Sequence, residues 1–258
     1  MVKLSIAWWK VLTLEVKSMY EEIKVVAMDL DGTITNHKSK PTAENLQALK
    51  ELAKRYKLIM VGAGQVQRIF NQLEKFPIDI IGNYGMQYGE YNSQTGEIDI
   101  IKDYMVECDR KHVTERVNAL RDKYGFTNFK GETVEFHPSG CITFPILGTK
   151  AEQADKLSFD PDRKKRRAIY NDVCKVFSDY TVFVGGSSSF DMAPSPYDKK
   201  YALEVYCKEK GYTMNQIAYM GDDYGQGGND ESVYKSDAVY FKIDDFRDFP
   251  KVVEPLLK

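Results

Sequence analysis

The chain has 258 residues, 43% hydrophobic and 29% charged. That is the make-up of a soluble globular protein, long enough for one large domain or a core with a smaller module. Its 36 basic and 38 acidic residues leave a net charge of -2, so no general attraction to nucleic acid or to an anionic membrane is expected.

Met1 to Ser18 carries the apolar pieces Ile6-Ala7-Trp8-Trp9 and Val11-Leu12. The run is too short and too interrupted by lysine to span a bilayer, and it lacks a small-residue cleavage site. Met19 fits a start site just before the first strand. Residues 1–22 are therefore read as an N-terminal extension, dispensable or packed as a helix on the surface. Ile23 to Leu30 reads as the first strand, and Pro41-Thr42 opens a helix with Leu46, Leu49, Leu52 and Ala53 at helical spacing. Leu58 to Val61 is a second buried strand ending in Gly62-Ala63-Gly64. A helix with Val66, Ile69, Phe70 and Leu73 follows, and then a third strand over Ile78 to Ile81. Alternating strands and helices predict a parallel sheet covered on both faces.

The texture changes over residues 87–190, which read as strands, a helix near 106–123, more strands, a helix near 163–177 and further strands. Thr133 to His137 alternates with period two, as in a sheet with one wet face. From Asp191 the α/β pattern resumes: a helix after Lys199, strands at Ile217 to Met220 and Ala238 to Phe241, and a final helix. Residues 23–86 and 191–258 are thus expected to build one core, with 87–190 an inserted α+β module able to cover a site and exclude water. The basic run Arg163 to Arg167 is expected to be a solvated helix face. It also leaves room for an anion, since cations at a helix start oppose its dipole.

Cys108, Cys141, Cys174 and Cys207 fall 33 residues apart, but their flanks share nothing, so no repeat is inferred. No Cys-x-x-Cys pair and no cysteine–histidine cluster has metal spacing. Reduced thiols in a cytoplasm are expected.

The chemistry begins at Val25-Val26-Ala27-Met28-Asp29-Leu30-Asp31-Gly32-Thr33. Residues i and i+2 of a strand share a face, so Asp29 and Asp31 should point together from the strand's carboxyl end, where open α/β sheets bind ligands. Two close carboxylates repel unless a cation or a proton intervenes, which suits a magnesium site with a nucleophile and a proton-transfer group. A carboxylate can attack phosphorus to give an aspartyl-phosphate. The second acid can then protonate the leaving oxygen and deprotonate the incoming water. The amides of Gly62, Ala63 and Gly64 can bind phosphate oxygens. Lys199, opening a helix, can neutralise phosphate. Tyr219-Met220-Gly221-Asp222-Asp223 ends another strand in acids, ahead of Gly227-Gly228-Asn229-Asp230, and a third carboxylate would complete an oxygen-rich magnesium shell.

Asp-Leu-Asp-Gly-Thr, the lysine before Ala-Leu, and Gly-Asp-Asp followed by Gly-Gly-Asn-Asp resemble the haloacid dehalogenase superfamily, over nearly all of the chain after residue 22. Val61 to Gln65 with Gln72-Leu73, Gly185 to Asp191 with Tyr197-Asp198-Lys199, and Glu135-Phe136 with Phe144-Pro145-Ile146 are similar to segments of the eukaryotic-type phosphomannomutases and related sugar phosphatases. The resemblance implies an α/β fold, a Rossmann-like core with a type C2 cap. It implies Asp29 as nucleophile, Asp31 as acid/base, Lys199 as the phosphate lysine, and magnesium held by Asp29, the Asp31 carbonyl and Asp222. Ser189 and Asp191 match positions that touch the sugar, and Asn229 falls in the last motif, among the substrate-binding candidates.

Two departures follow from the same resemblance. Gly64 stands where the family has a phosphate-binding hydroxyl. His137 and Gly148 stand where the mutases hold a distal phosphate with arginines, whose planar charged fork neither residue replaces. His137 either faces substrate or packs on its sheet. Lys150 or Arg163 to Arg167 could compensate. The expected function is a magnesium-dependent phosphatase of sugar phosphates or similar small metabolites, with no nucleic-acid or membrane partner. The alternatives are a phosphohexomutase and a non-catalytic sugar-phosphate-binding module. A homodimer through the cap is compatible with the family.

Overall fold

The computed structural model describes residues 20–258; the reading of residues 1–18 lies outside them. Strands β1 (Val25–Met28), β2 (Lys57–Val61), β3 (Asp79–Gly82), β10 (Ile217–Gly221) and β11 (Val239–Lys242) run parallel in one sheet. β4 (Gln87–Asn92) and β5 (Glu97–Asp103) extend it antiparallel, giving the order β11-β10-β1-β2-β3-β4-β5. Val25, Val26, Ala27 and Met28 are all fully buried. A central strand covered on both faces reads as an unbroken apolar run rather than an alternation.

Helices α1 (Ala43–Ala53) and α2 (Val66–Gln72) pack on one face through Leu49, Leu52, Ile69 and Phe70, and the C-terminal turns α8 (Phe249–Val252) and α9 (Glu254–Leu257) join them. Helix α6 (Lys199–Lys210) covers the other face through Ala202, Leu203, Tyr206 and Cys207, beside the short α7 (Glu231–Tyr234).

A second, antiparallel sheet has the order β6-β7-β9-β8: β6 (Glu135–Phe136), β7 (Ile142–Pro145), β9 (Ser189–Pro194) and β8 (Tyr180–Phe183). Helices α3 (Arg110–Tyr124) and α5 (Lys164–Val176) bury Val113, Val117, Leu120 and Val173 against it. A short helix α4 (Gln153–Phe159), absent from the sequence reading, precedes α5. It buries no residue, so it carries no amphipathic signal.

The expected inserted module began at residue 87. Residues 87–103 instead form β4 and β5 of the large sheet, because the chain turns back directly after β3 and pairs Ile81 with Tyr88. At the other end β9 passes residue 190 and runs to Pro194. The alternation over Thr133 to His137 yields only the two-residue β6. Between the sheets lies a small apolar cluster of Tyr84, Met86, Cys141, Phe183 and Ala193. Tyr84 stacks on Phe183 at 4.3 Å between ring centres.

All four cysteines are free. No helix among the described residues is long and apolar enough to cross a membrane.

Candidate active site

Parallel pairing fixes where the site lies. Met28 pairs with Met220 on one side and with Met60 on the other. Three strands therefore end level, and the residues after them, Asp29, Asp222 and Gly62, gather at one edge of the sheet. This is the carboxyl-end crevice expected of an open parallel sheet. A cavity of about 950 Å³ opens there. Asp29, Asp31, Asp222 and Asn229 lie on the large-sheet wall, and His137, Ser189 and Asp191 on the small-sheet wall.

Asp29 is 6% exposed, and its backbone N–H donates to the Met220 carbonyl at 3.0 Å. Lys199, fully buried, reaches its Oδ1 at 2.9 Å. Helix α6 places that lysine. Asp198 caps the helix by accepting from the Tyr201 N–H at 2.6 Å, and Lys199 is the first helical residue. The Lys199 ammonium also meets Asp230 Oδ1 at 2.7 Å and Asn229 Oδ1 at 2.9 Å. Of the three donors of an ammonium, Asp230 and Asn229 take two, and Asp29 stands within ion-pair distance. Asp230 is held in turn by the Tyr219 hydroxyl at 2.5 Å and the Asp223 N–H at 3.0 Å.

Burial drives the charge balance. It pushes the Asp29 carboxyl up; Lys199 pulls it back, and the nearby Asp230 and Asp222 raise it further. Burial also raises Asp222, with Asp230 adding to the rise. For Lys199 burial acts downward, but Asp230 and Asp29 outweigh it and hold the ammonium above its ordinary range. The cluster thus carries more negative charge than one lysine neutralises.

Asp29, Asp222 and Asp230 each offer a carboxylate oxygen within 4.8 Å of the others. Asp230 is spent on Lys199 and Tyr219, which leaves Asp29 and Asp222 for a cation. Thr33 orients Asp222 by donating to its Oδ1 at 3.1 Å. At Gly32, with φ +95°, a Cβ would sit 2.6 Å from the Asp222 carboxylate, so only glycine lets that carboxylate approach. An all-oxygen donor set with surplus negative charge fits magnesium.

Asp31 lines the same cavity, but its partners lie away from Lys199. Its Oδ1 accepts from the Lys38 N–H at 2.7 Å and Gln72 Nε2 at 2.8 Å, and Arg68 stands 3.5 Å from its Oδ2. The Gly62-Ala63-Gly64 turn departs from the expected amide cradle at its first residue. The Gly62 N–H donates to the Ile81 carbonyl at 2.9 Å, so it belongs to the sheet ladder. A Cβ at Gly62 would come within 2.8 Å of Ile69 Cδ1, the end of a flexible side chain. Gly62 and Ala63 line the cavity together with Arg68. Gly64 sits beneath the Arg68 guanidinium.

On the opposite wall a hydroxyl and a carboxylate form a relay, with Lys156 and Arg163 also lining the cavity. Thr143 donates to Asp191 Oδ1 at 2.9 Å and receives His137 Nε2 at 3.1 Å. The ring tautomer with hydrogen on Nε2 follows from that pattern. Burial raises the Asp191 carboxyl, and Thr143 and His137 pull it back. His137 thus both lines the cavity and bonds to its own sheet. The Ser189 hydroxyl donates to the Gly185 carbonyl at 3.2 Å. At Gly148, with φ +83°, a Cβ would lie 2.2 Å from the Lys130 carbonyl oxygen.

The basic run is a solvated face only at Lys164 and Lys165, and its three arginines turn to partners within the protein. Arg166 is 1% exposed, bonds Asp160 Oδ2 at 2.9 Å through Nε, and donates through Nη1 to the carbonyls of Gly185 at 2.5 Å and Ser189 at 3.0 Å. Arg163 pairs with Asp223, and Arg167 lies 3.7 Å from the same carboxylate. Asp160, six residues before Arg166, was the available sequence signal for the first contact. Asp223 and Asp230 were visible as acids, but their partners are distant in sequence.

A sequence profile of the eukaryotic phosphomannomutases matches residues 45–258. The matched span begins after Asp29 and Asp31. Curated relatives include a phosphomannomutase of Spinacia oleracea, 26% identical over 224 residues, covering 83% of this chain and 87% of that protein. A phosphomannomutase of Drosophila melanogaster is 26% identical over 246 residues, covering 89% and 95%. Among solved structures, a Bacteroides thetaiotaomicron phosphatase of the haloalkanoate superfamily overlays with a TM-score of 0.60 at 14% identity, covering 91% of this chain and 95% of that one. At that identity the overlay speaks for the fold, a Rossmann-like core of the haloacid dehalogenase type.

Proposed function

The chain belongs to the eukaryotic phosphomannomutase family, and from that premise we propose that it is a magnesium-dependent phosphomonoester phosphatase of small phosphorylated metabolites, most simply sugar phosphates. The observation that carries hydrolysis over mutase action is the wall facing Asp29. A mutase must hold a second phosphate there while the first reacts. In this chain β6, β7 and β9 and their ends present His137, Thr143, Asp191 and Ser189 there. Of the cations that line the cavity beside them, Arg163 pairs with Asp223 and Lys156 donates to the Thr149 carbonyl at 3.4 Å. Arg166 is consumed by carbonyls and Asp160. Hydroxyls and a carboxylate suit the hydroxyls of a polyol far better than a phosphate dianion.

In this reading residues 104–194 act as the cap, and Asp29 is the nucleophile. Its carboxylate attacks phosphorus in line, and the P–O bond to the leaving group breaks as Asp31 delivers a proton to that oxygen. Asp31 then takes a proton from water, which attacks the aspartyl-phosphate and releases phosphate. Lys199 restrains Asp29 and offsets its charge. Magnesium, held by Asp29, Asp222 and the Asp31 carbonyl, would neutralise phosphoryl oxygens and so allow an anion to approach an anion. Asn229 and Asp230 fix Lys199.

A second reading, phosphohexomutase, is favoured by the family and by the relatives named phosphomannomutase. Phosphorus NMR of the protein with mannose 1-phosphate and magnesium, with and without a trace of glucose 1,6-bisphosphate, separates the two. Growth of inorganic phosphate, lost in Asp29→Asn, is the expected outcome. Growth of a 6-phosphate signal that needs the bisphosphate would replace hydrolysis by the mutase. Silence with mannose 1-phosphate and a wider panel of esters would leave only a binding module.

A further inference from the structure

The lysine expected to bind phosphate is already engaged, hydrogen-bonded to Asp230 and Asn229 and 2.9 Å from Asp29. A further cationic donor on the same wall would strengthen the docking of a phosphoryl group at Asp29. Arg68 lies there. It projects from the first turn of α2, immediately after the turn that ends β2, and it lines the cavity that holds Asp29. Its partners among the described residues are Gln72 Oε1, which accepts from Nη1 at 2.8 Å, and Asp31 Oδ2, 3.5 Å from Nη2. A guanidinium carries five N–H donors in a planar fork, so most of its capacity is unspent.

The position of that fork explains Gly64. A Cβ built on Gly64 would lie 2.1 Å from Arg68 Nη2, 2.4 Å from Nε and 2.6 Å from Cζ. The guanidinium occupies the volume in which any side chain at 64 would stand. Glycine at 64 leaves that space open, and the flexible side chain four positions on fills it; a side chain at 64 would make the guanidinium move aside. A charged planar fork suits a phosphate dianion better than a single hydroxyl does.

We propose that Arg68 binds the phosphoryl oxygens of the substrate at the Asp29 site, and that Gly64 is glycine to admit its guanidinium. The proposal rests on the phosphatase reading for turnover but not for binding. When phosphate docks, Nη2 exchanges its loose contact with Asp31 for a phosphoryl oxygen, which also frees Asp31 for proton transfer.

The test measures inorganic phosphate binding by calorimetry with magnesium present, alongside kcat and KM, for wild type, Arg68→Ala, Arg68→Lys, Gly64→Ser and the double variant Gly64→Ser/Arg68→Ala. The Arg68 side chain is 43% exposed, so its variants should fold. Arg68→Ala should weaken phosphate binding about tenfold or more and lower kcat/KM by about 100-fold, with Arg68→Lys between. Gly64→Ser alone should also lose phosphate affinity, because its Cβ displaces the fork. The double variant, with a hydroxyl in the cleared space, should recover above Arg68→Ala. Unchanged phosphate affinity in Arg68→Ala would overturn the proposal, even if kcat fell, since a fall in kcat alone means that Arg68 only positions Asp31. A wild type that binds no phosphate would overturn it as well. A wild type that binds phosphate yet hydrolyses nothing defeats the phosphatase reading while the affinities still decide the role of Arg68.

Discussion

The residue that holds the site together is Lys199. It is fully buried, and each acceptor it meets comes from another part of the chain: Asp29 after β1, and Asn229 and Asp230 before α7. Removing one member of a buried ion pair leaves the others uncompensated, at about 3–5 kcal/mol. Lys199→Met should therefore lower unfolding stability by that amount in urea titrations as well as abolishing turnover. A variant that loses turnover at unchanged stability would mean the ammonium is tied to catalysis alone. The identities of Asp29, Asp31, Lys199 and Asp222 could be read from the sequence because each lies at the end of an apolar strand or the start of a helix. Arg68 could not, because its role depends on the volume left empty at Gly64.

At the scale of the element, helix α6 shows how a local signal aims a distant group. Asp198 is an N-cap, and its carboxylate fixes both the start of the helix and the direction in which Lys199 leaves it. Losing such a cap costs about 0.5–2 kcal/mol. Asp198→Ala should show that loss in thermal melts. It should also show a larger fall in kcat than in KM, since a frayed first turn releases the lysine from Asp29. Equal kcat in the two proteins would mean that Asp29, Asp230 and Asn229 alone hold Lys199. Helix α5 shows the limit of pattern reading. Its basic start looks like a wet face, yet Arg166 is driven inward. Burial pushes the Asp160 carboxyl up, but hydrogen bonds from Arg166 and the N–H groups of residues 165 and 166 outweigh it and hold the carboxyl below its usual range. Charged residues are buried when every donor has a partner, and a sequence lists donors without their partners.

Across the whole molecule, two sheets face one cavity, and carboxylates crowd its floor. Asp29 and Asp222 are both raised by burial, with neighbouring negative charge adding to it. Magnesium should relieve that crowding. A ligand that binds only the folded state at 100 times its dissociation constant adds about 2.7 kcal/mol. The melting temperature should therefore rise with magnesium in wild type and fall again with chelator. Asp222→Asn should flatten the response, and a melting temperature indifferent to magnesium in wild type would remove the metal from the site. Arg163 and Arg167 join the second sheet's α5 to Asp223 on the core, tying the two parts together beside the same carboxylates.

The sequence by itself determined the α/β core and the acidic ends of its strands. Apolar strands, their acidic ends and the helix that begins at Lys199 are local patterns, set by period, by turn residues and by the groups that follow them. The tertiary structure decided what depends on partners. It assigned residues 87–103 to the large sheet, since a strand of mixed polarity can join any exposed edge and only the turn after β3 chose one. It gave the arginines of the basic run to Asp160 and Asp223, left Lys164 and Lys165 in solvent, and set Lys199 against three acceptors within the protein. It also laid Arg68 over Gly64. Each of these outcomes depends on which groups share a volume, and the distance between two side chains in space is not a function of their separation along the chain.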